Sequence, residues 1–247
     1  MVNSMDNEKA KILVLVEGAK TDVNLMEKLF SIYGISERHT IVSYNTNIYT
    51  LYGQMFSDGH PEDYDLLALL KSREHDVAKK AIFDDVYSDI LLIFDLDPHD
   101  PQFSAVKISE MLSFFTESSD MGKLYLNYPM VEAFYHMGSI PDPNYAGYTV
   151  TMDELRQKAY KERVRRENRN RDFRKFAINR QECNIVIRQN LEKGFMLTQG
   201  SFPTDIKLPN TSDILAKQLE LICQTDSLSV LCTCAFYIPD YNPNLLK

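Results

Sequence analysis

The first half of the chain alternates between short apolar runs and amphipathic segments. Residues 12–16 (ILVLV) and 90–94 (ILLIF) are uninterrupted apolar runs of strand length, which is typical of buried parallel strands. Between them, residues 21–33 carry apolar side chains at helical spacing and stop at Gly34, which predicts a helix. Strands that alternate with helices predict an α/β fold, a parallel sheet with helices on both faces.

Shorter segments extend this pattern. Residues 40–44 and 123–126 have strand character, and three more segments show helical spacing: 47–56, 63–71 and 104–116. After residue 139 the composition changes, and residues 140–144 (IPDPN) have the Pro-rich character of a boundary. We therefore predict a first domain over residues 1–139 and a mostly helical C-terminal region over residues 140–247.

The C-terminal region is charged and long-helical in its first part. Residues 152–195 predict mostly helix, including a basic helix over 158–180, and residues 212–225 predict an amphipathic helix. Residues 229–237 are apolar and fit either a strand or the buried end of a helix.

Composition places the chain among ordinary globular proteins. Its 44% hydrophobic and 25% charged residues are enough for a sizeable core. No apolar run approaches the ~20 residues of a membrane span, and the polar N-terminus does not resemble a signal peptide, so we expect a cytoplasmic protein without a membrane partner. The cysteines form no CxxC pair, and we expect buried, reduced thiols rather than zinc ligands: Cys183, Cys223, Cys232 and Cys234.

The charge distribution is uneven. The net charge of -8 argues against a uniformly basic nucleic-acid coat, yet ten Lys and Arg residues face only three acids between residues 158 and 180. We expect this segment to contact a nucleic-acid backbone, with a protein partner or a merely solvated face as alternatives. The candidate contacts are Arg163, Arg165, Arg166, Arg169, Arg171 and Arg174.

Both strong apolar runs stop on carboxylates. Glu17 follows the first run, and Asp95 and Asp97 follow the second. Function in open α/β sheets gathers at the carboxyl ends of strands, and two acids two residues apart on extended chain point the same way. Because Mg²⁺ takes oxygen ligands and usually keeps positions for water and phosphate, these acids predict a site for Mg²⁺ (or Mn²⁺) that is open to a phosphodiester.

Three segments resemble motifs of the TOPRIM domain. Residues 16–22 (VEGAKTD) resemble its first motif in the EGxxT(D/E) version, and residues 94–97 (FDLD) resemble its DxD motif. Residues 127–132 (NYPMVE) are similar to the Asn-Pro…Glu segment of the OLD and RloB-like nuclease branch. Order and spacing agree over about residues 10–138.

This resemblance implies a Rossmann-like parallel sheet flanked by helices and a metal-dependent nuclease. It makes Asp95 and Asp97 metal ligands and Glu17 a ligand or general acid/base. It adds Asp22 and Glu132 to the metal shell, with helix capping and a plain exposed helix position as their alternatives. Two metals would activate water and stabilise the leaving oxygen. Lys20 would neutralise phosphate charge, although an exposed helix-start lysine is the simpler explanation.

The function implied is hydrolysis of DNA or RNA, by analogy in a prokaryotic anti-phage defence or toxin effector. Residues 18–21 lack the frame of a Walker P-loop, so an ATPase or regulatory partner would be a separate protein. One alternative is a non-catalytic TOPRIM-like module that binds nucleic acid or a partner. Another is a phosphatase of haloacid-dehalogenase type, whose DxD motif residues 94–97 also resemble, although that family has Thr or Val where this chain has His99.

Overall fold

A five-stranded sheet forms the centre of the molecule. The computed structural model describes residues 10–119, 121–201 and 207–247. The sheet has the order β2-β1-β3-β5-β4, and only β4 runs antiparallel to its neighbour. Its strands are β1 (Lys11–Val16), β2 (His39–Ser43), β3 (Tyr87–Asp95), β4 (Thr116–Glu117) and β5 (Gly122–Asn127).

The register of the sheet brings the carboxyl ends of three parallel strands to one edge. Val16 at the end of β1 lies opposite Ile93 of β3, and Asp95 at the end of β3 lies opposite Asn127 of β5. Residues 12–16 of β1 and 90–95 of β3 are buried, which explains why both strands contain continuous apolar runs. The residues that follow these strands are therefore neighbours in space.

Helices cover the sheet as the hydrophobic pattern predicts. They are α1 (Thr21–Tyr33), α2 (Ile48–Met55), α3 (Leu66–Arg73), α4 (Val77–Lys80) and α5 (Ala105–Phe114). Helix α1 ends at Gly34, whose φ of 68° places it in the left-handed region that glycine adopts without strain. The mixed α/β class and the mostly parallel sheet are confirmed.

In the part of the C-terminal region that the structure describes, there are five α-helices and a small antiparallel ladder. They are, in chain order, β6 (Thr149–Thr151), α6 (Met152–Arg156), α7 (Tyr160–Glu167), α8 (Arg180–Gln199), α9 (Thr211–Thr225), β7 (Ser227–Ser229) and α10 (Tyr237–Tyr241). Strands β6 and β7 pair with each other. In the described ranges, no helix combines the length and hydropathy of a membrane span.

The prediction of one basic helix over residues 158–180 is wrong. Helix α7 ends at Glu167, and the chain then forms a loop up to the start of α8 at Arg180, with a single 3₁₀ turn at Phe173–Lys175. Lys158, Arg171 and Ala177 have positive φ angles of 57°, 51° and 50°, which a helix does not accommodate. The buried amide of Asn168 donates to the Tyr135 carbonyl at 2.7 Å and ties this loop to the first domain.

The apolar segment over residues 229–237 is neither of the two predicted structures. Strand β7 stops at Ser229, and beyond it the buried chain makes one isolated bridge, between Leu231 and Tyr128, before a 3₁₀ turn leads into α10. Burial explains the apolar composition without a regular element.

The two predicted regions share one core. A single cluster of buried apolar side chains includes β1, β3 and the segment around Leu231, and the Thr233 hydroxyl donates to the Leu126 carbonyl at 2.8 Å. The predicted boundary at residues 140–144 is packed as well, since the Asp142 side chain is buried and accepts a 2.6 Å hydrogen bond from the Gly138 N–H. Residue 139 therefore does not divide two independent cores.

The cysteines are all free thiols. Cys183, Cys232 and Cys234 are buried as expected, but Cys223 is exposed on α9.

Candidate functional site

Acids from separate stretches of the chain line one cavity of about 300 Å³ at the carboxyl edge of the sheet. Four of the five predicted metal ligands lie in its wall: Glu17, Asp22, Asp95 and Asp97. The fifth, Glu132, lies behind it and places Oε1 3.3 Å from the Nζ of Lys161, which also lines the cavity. Residues remote in sequence are thus gathered as the strand-end argument predicts.

Glu17 bridges the ends of β1 and β3. Its backbone N–H donates to the Ile93 carbonyl at 3.1 Å, which continues the ladder one residue past β1. Its carboxylate then reaches across, and Oε2 accepts a 3.1 Å hydrogen bond from the Asp95 N–H. The first acid of the site is therefore held by the strand that carries the second.

Asp95 is the last residue of β3 and is 7% exposed. Its Oδ1 accepts a 3.3 Å hydrogen bond from the side-chain amide of the fully buried Asn127 at the end of β5. The Asn127 Oδ1 accepts in turn from the Cys234 N–H at 3.2 Å. Asn127 belongs to the third motif, but sequence reasoning gave it no role.

Asp97 reaches the cavity by a route that the sequence argument did not foresee. It is not on extended chain, since β3 ends at Asp95 and Asp97 has a φ of 41°. Its N–H donates to the Pro129 carbonyl at 3.3 Å, and its carbonyl accepts from the Asp100 N–H at 2.9 Å. The expectation of a shared strand face is therefore wrong, although a tight turn still brings both acids to one cavity.

Asp22 and Gly18 form a close approach at the start of α1. Asp22 lies in the first turn of the helix and is 5% exposed, and the residue that precedes the helix, Lys20, makes no side-chain cap. A Cβ at Gly18 would lie 2.6 Å from the Asp22 Oδ2, so only glycine leaves the carboxylate its position. The EG motif thus supplies both an acid and the space for a second one.

Several polar atoms in this region are buried and lack a hydrogen-bond partner: Asp22 Oδ1, Asp97 Oδ1, His99 Nδ1 and Glu132 Oε2. Each such atom costs about 1–3 kcal/mol, and a bound ligand would recover this. Three of these atoms are carboxylate oxygens, which are the ligand atoms that Mg²⁺ and Mn²⁺ prefer. The side chains present therefore fit such an ion. Within the described ranges, however, no three His, Cys, Asp or Glu side chains are already arranged around one ion position.

The protonation of these acids reflects their crowding. Burial, followed by the charge of Asp97, raises the pKa of Glu17 to about 8. Burial also raises the pKa of Asp22 to about 6, while a hydrogen bond from the Gly18 backbone opposes the shift. Burial and then the charge of Glu17 raise the pKa of Asp95 well above its ordinary value. Neighbouring carboxylates that cannot all ionise share protons, and a divalent cation would take the place of those protons.

The segment at the start of α7 forms the opposite wall of the cavity. Lys158, Tyr160 and Lys161 line it, and the Glu132 carboxylate raises the pKa of Lys161 although partial burial acts the other way. His99, two residues after Asp97, also lines the wall. Sequence reasoning missed the α7 contribution because no local pattern shows that the C-terminal region folds back over the sheet edge.

The predicted nucleic-acid contacts have different surroundings. Arg163 is largely buried and binds the carboxylates of Glu154 and Glu167 at 3.1 Å each, so it braces the C-terminal region rather than facing a ligand. Lys20 is exposed and is not among the residues that line the cavity. The other predicted arginines are exposed residues on α7 or on the loop after it: Arg165, Arg166, Arg169, Arg171 and Arg174.

Most of these arginines also have an acidic neighbour within the chain. Arg166 contacts Glu167 at 3.1 Å, Arg169 contacts Glu182 at 2.8 Å, and Arg165 pairs with Glu162. Exposed pairs of this kind are weak and exchange readily for a phosphate.

No family model, curated protein or solved structure matches this chain. The functional assignment consequently depends on the residues and the geometry described above.

Proposed function

We propose that this protein is a divalent-metal-dependent nuclease of TOPRIM type that hydrolyses phosphodiester bonds of DNA or RNA. One observation carries the proposal: Glu17, Asp22, Asp95 and Asp97 line one cavity, and Glu132 pairs with Lys161 in its wall. Asp22, Asp97 and Glu132 each have a buried carboxylate oxygen without a hydrogen-bond partner. The order and spacing of the three TOPRIM-like segments support the same function.

The residues that would hold Mg²⁺ or Mn²⁺ are Glu17, Asp22, Asp95, Asp97 and Glu132. A bound cation would supply an activated water and charge stabilisation at the phosphate. The chain's own groups complete the site: Asn127 fixes the Asp95 carboxylate, and Lys161 offers a cation at the cavity wall for a phosphate oxygen. Before a cation binds, Glu17, with a pKa of about 8, holds a proton on its carboxylate near neutral pH, and the cation would take the place of that proton.

The same resemblance supports a cytoplasmic role in prokaryotic anti-phage defence or as a toxin effector, with a separate ATPase or regulatory protein as partner. These features are inferred by analogy with the family.

The decisive experiment compares Asp95→Asn and Asp97→Asn with the wild type on plasmid, single-stranded DNA, total RNA and tRNA, with Mg²⁺, Mn²⁺ or chelator. Asn keeps the shape of Asp and tolerates the left-handed backbone at position 97, so both variants are expected to fold. We expect cleavage that needs the metal and falls at least about 100-fold in each variant. Asp85→Asn, which removes an exposed acid paired with Lys11, is the matched control and is expected to cleave normally.

Metal binding gives a readout that does not depend on finding the right substrate. We expect Mn²⁺ or Mg²⁺ to raise the melting temperature of the wild type and of Asp85→Asn. The rise should be much smaller in Asp97→Asn, which lacks one of the proposed ligands. Wild-type cleavage by both Asp95→Asn and Asp97→Asn would overturn the proposal.

Non-catalytic binding is the second candidate function. It is favoured by the fact that, among the described residues, the acids surround the cavity instead of converging on one ion position. Nucleic-acid binding without any metal-induced rise in melting temperature would select this alternative.

A further inference from the structure

A second cavity of about 360 Å³ lies beside the cavity lined by Glu17, Asp22, Asp95 and Asp97, which we call the acid cavity. Thr21 in its wall directly precedes Asp22 of the acid cavity. Tyr135 in its wall ends the 3₁₀ helix Val131–Tyr135, whose first residue lines the acid cavity. The two cavities therefore share two elements, α1 and this 3₁₀ helix. The second one is lined by Thr21, Asn24, Lys28, Tyr135, Phe173 and Arg174.

A stacked pair of aromatic rings forms one side of this second cavity. The rings of Tyr135 and Phe173 lie 4.3 Å apart at an angle of 10°. Tyr135 is buried, whereas Phe173 is only partly buried, so the stack extends from the core to the cavity. A flat ring that continues such a stack gains aromatic contact area, and every nucleobase has a flat π-face.

Polar groups from α1 also line the second cavity. Asn24 is exposed, and its amide offers both a donor and an acceptor, which is the combination that pairs with the edge of a base. Thr21 adds a hydroxyl on the same face of the helix, three residues earlier. The cavity thus combines stacking with hydrogen bonding.

The charges around the second cavity match a polyanion. The Lys28 Nζ lies 5.1 Å from the centre of the Tyr135 ring and donates to the Phe176 carbonyl at 2.8 Å. The side chain of Arg174 is 90% exposed at the cavity. The loop that carries Phe173 has four cations against one acid over residues 169–175, in a protein whose net charge is -8.

We propose that the second cavity binds the base of an unpaired nucleotide, so that the substrate of the acid cavity is single-stranded nucleic acid. The inference rests on the proposed nuclease function. A base in a duplex is stacked and paired, so it reaches a side pocket only after it leaves the helix, whereas a single strand presents its bases freely. The loop arginines then contact the backbone while Phe173 stacks on one base.

The test measures binding in chelator, so that no cleavage intervenes, by fluorescence anisotropy with a labelled single-stranded oligonucleotide and its duplex. Phe173→Leu keeps apolar contact but removes stacking, and Phe173→Tyr restores a ring. We expect Phe173→Leu to weaken single-strand binding at least about fivefold, Phe173→Tyr to remain close to wild type, and the duplex to bind more weakly than the single strand. Phe114→Leu, at a partly buried phenylalanine on α5, is the matched control and leaves binding unchanged.

Asn24→Ala tests the polar groups of the cavity without a risk to folding, because the residue is exposed and alanine favours a helix. We expect weaker single-strand binding at an unchanged melting temperature. Wild-type affinity in both Phe173→Leu and Asn24→Ala, or no binding of any single strand by the wild type, would overturn the inference. A third outcome separates the two proposals. If these variants lose single-strand binding but the wild type shows no metal-dependent cleavage, the nuclease proposal is wrong and the base-binding pocket is still supported.

Discussion

The burial of Glu17 in the acid cavity makes the stability of the fold depend on pH. Its pKa of about 8 in the folded chain lies above the ordinary 4.5, first because the group is buried and then because of Asp97. Between these two values the folded chain holds a proton that the unfolded chain releases. Stability from this group is therefore present below about pH 4.5 and is lost as the pH rises toward 8.

We expect the melting temperature of metal-free wild type to fall more steeply than that of Glu17→Gln between pH 5 and pH 8, measured by scanning calorimetry in chelator. The other titrating groups are common to both proteins, so the difference reports Glu17 together with its effect on the pKa of Asp95. Mg²⁺ or Mn²⁺ is expected to stabilise the wild type more at pH 8 than at pH 5, because the cation displaces the proton. Parallel pH curves for the two proteins would contradict this account.

Gly18 is the second residue whose role is local and testable. In Gly18→Ala the new Cβ would lie 2.6 Å from the Asp22 Oδ2 and displace that carboxylate. We expect metal-dependent cleavage to fall about 10- to 100-fold, with little change in folding, since only a side chain has to move.

The matched control is Gly53→Ala in α2, where an added Cβ meets nothing within 4 Å. It is expected to leave cleavage unchanged and to stabilise the protein by about 0.5–1 kcal/mol in urea unfolding. Equal activity of Gly18→Ala and wild type would remove Asp22 from the site.

At the scale of elements, the first half of the molecule was predictable because its signals are local. The runs that become β1 and β3 are apolar throughout, so the strand-end argument places Glu17 and Asp95 at one sheet edge. Asp22 was added to this site by the family resemblance, and it lines the same cavity. Asp97 reaches the same edge by a turn that extended-chain reasoning does not contain.

The second half was less predictable because its contacts are remote in sequence. The composition of residues 158–180 gives no warning that α7 ends at Glu167, or that Arg171 and Ala177 adopt left-handed conformations in the loop behind it. Asn127 acts through Asp95 of β3, and Lys161 pairs with Glu132 of the 3₁₀ helix Val131–Tyr135. No pattern along the chain reveals these pairings.

Helix α7 gives a prediction at this scale, because it delivers Lys161 to the cavity. Lys161→Met is expected to lower the specificity constant for cleavage about tenfold or more, since a cation facing the phosphate is lost. Lys217→Met on α9 is the matched control: Lys217 pairs with Glu220 at 2.7 Å and is 47% exposed, against 54% for Lys161. Unchanged steady-state kinetics in Lys161→Met would exclude a phosphate contact by α7.

At the scale of the whole molecule, the described residues share one hydrophobic core. The apolar cluster spans both predicted regions. The chain at the carboxyl end of β5 is also hydrogen-bonded to the segment around Leu231, through the backbone bridge between Tyr128 and Leu231 and through the Thr233 hydroxyl, which donates to the Leu126 carbonyl. We expect residues 1–139 alone to lack a cooperative thermal transition by circular dichroism, because their apolar surface toward the C-terminal region would be exposed to water. A sharp melt of this fragment would restore the two-domain division.

Asn127 connects two parts of the chain that are far apart in sequence. Its amide touches Asp95 on one side and the backbone at Cys234 on the other. A change that shifts the backbone at position 234 is expected to reach the acid cavity through a single intervening side chain. Under the proposed function, cleavage should therefore respond to substitutions more than a hundred positions downstream of Asp95, at residues that do not line the cavity.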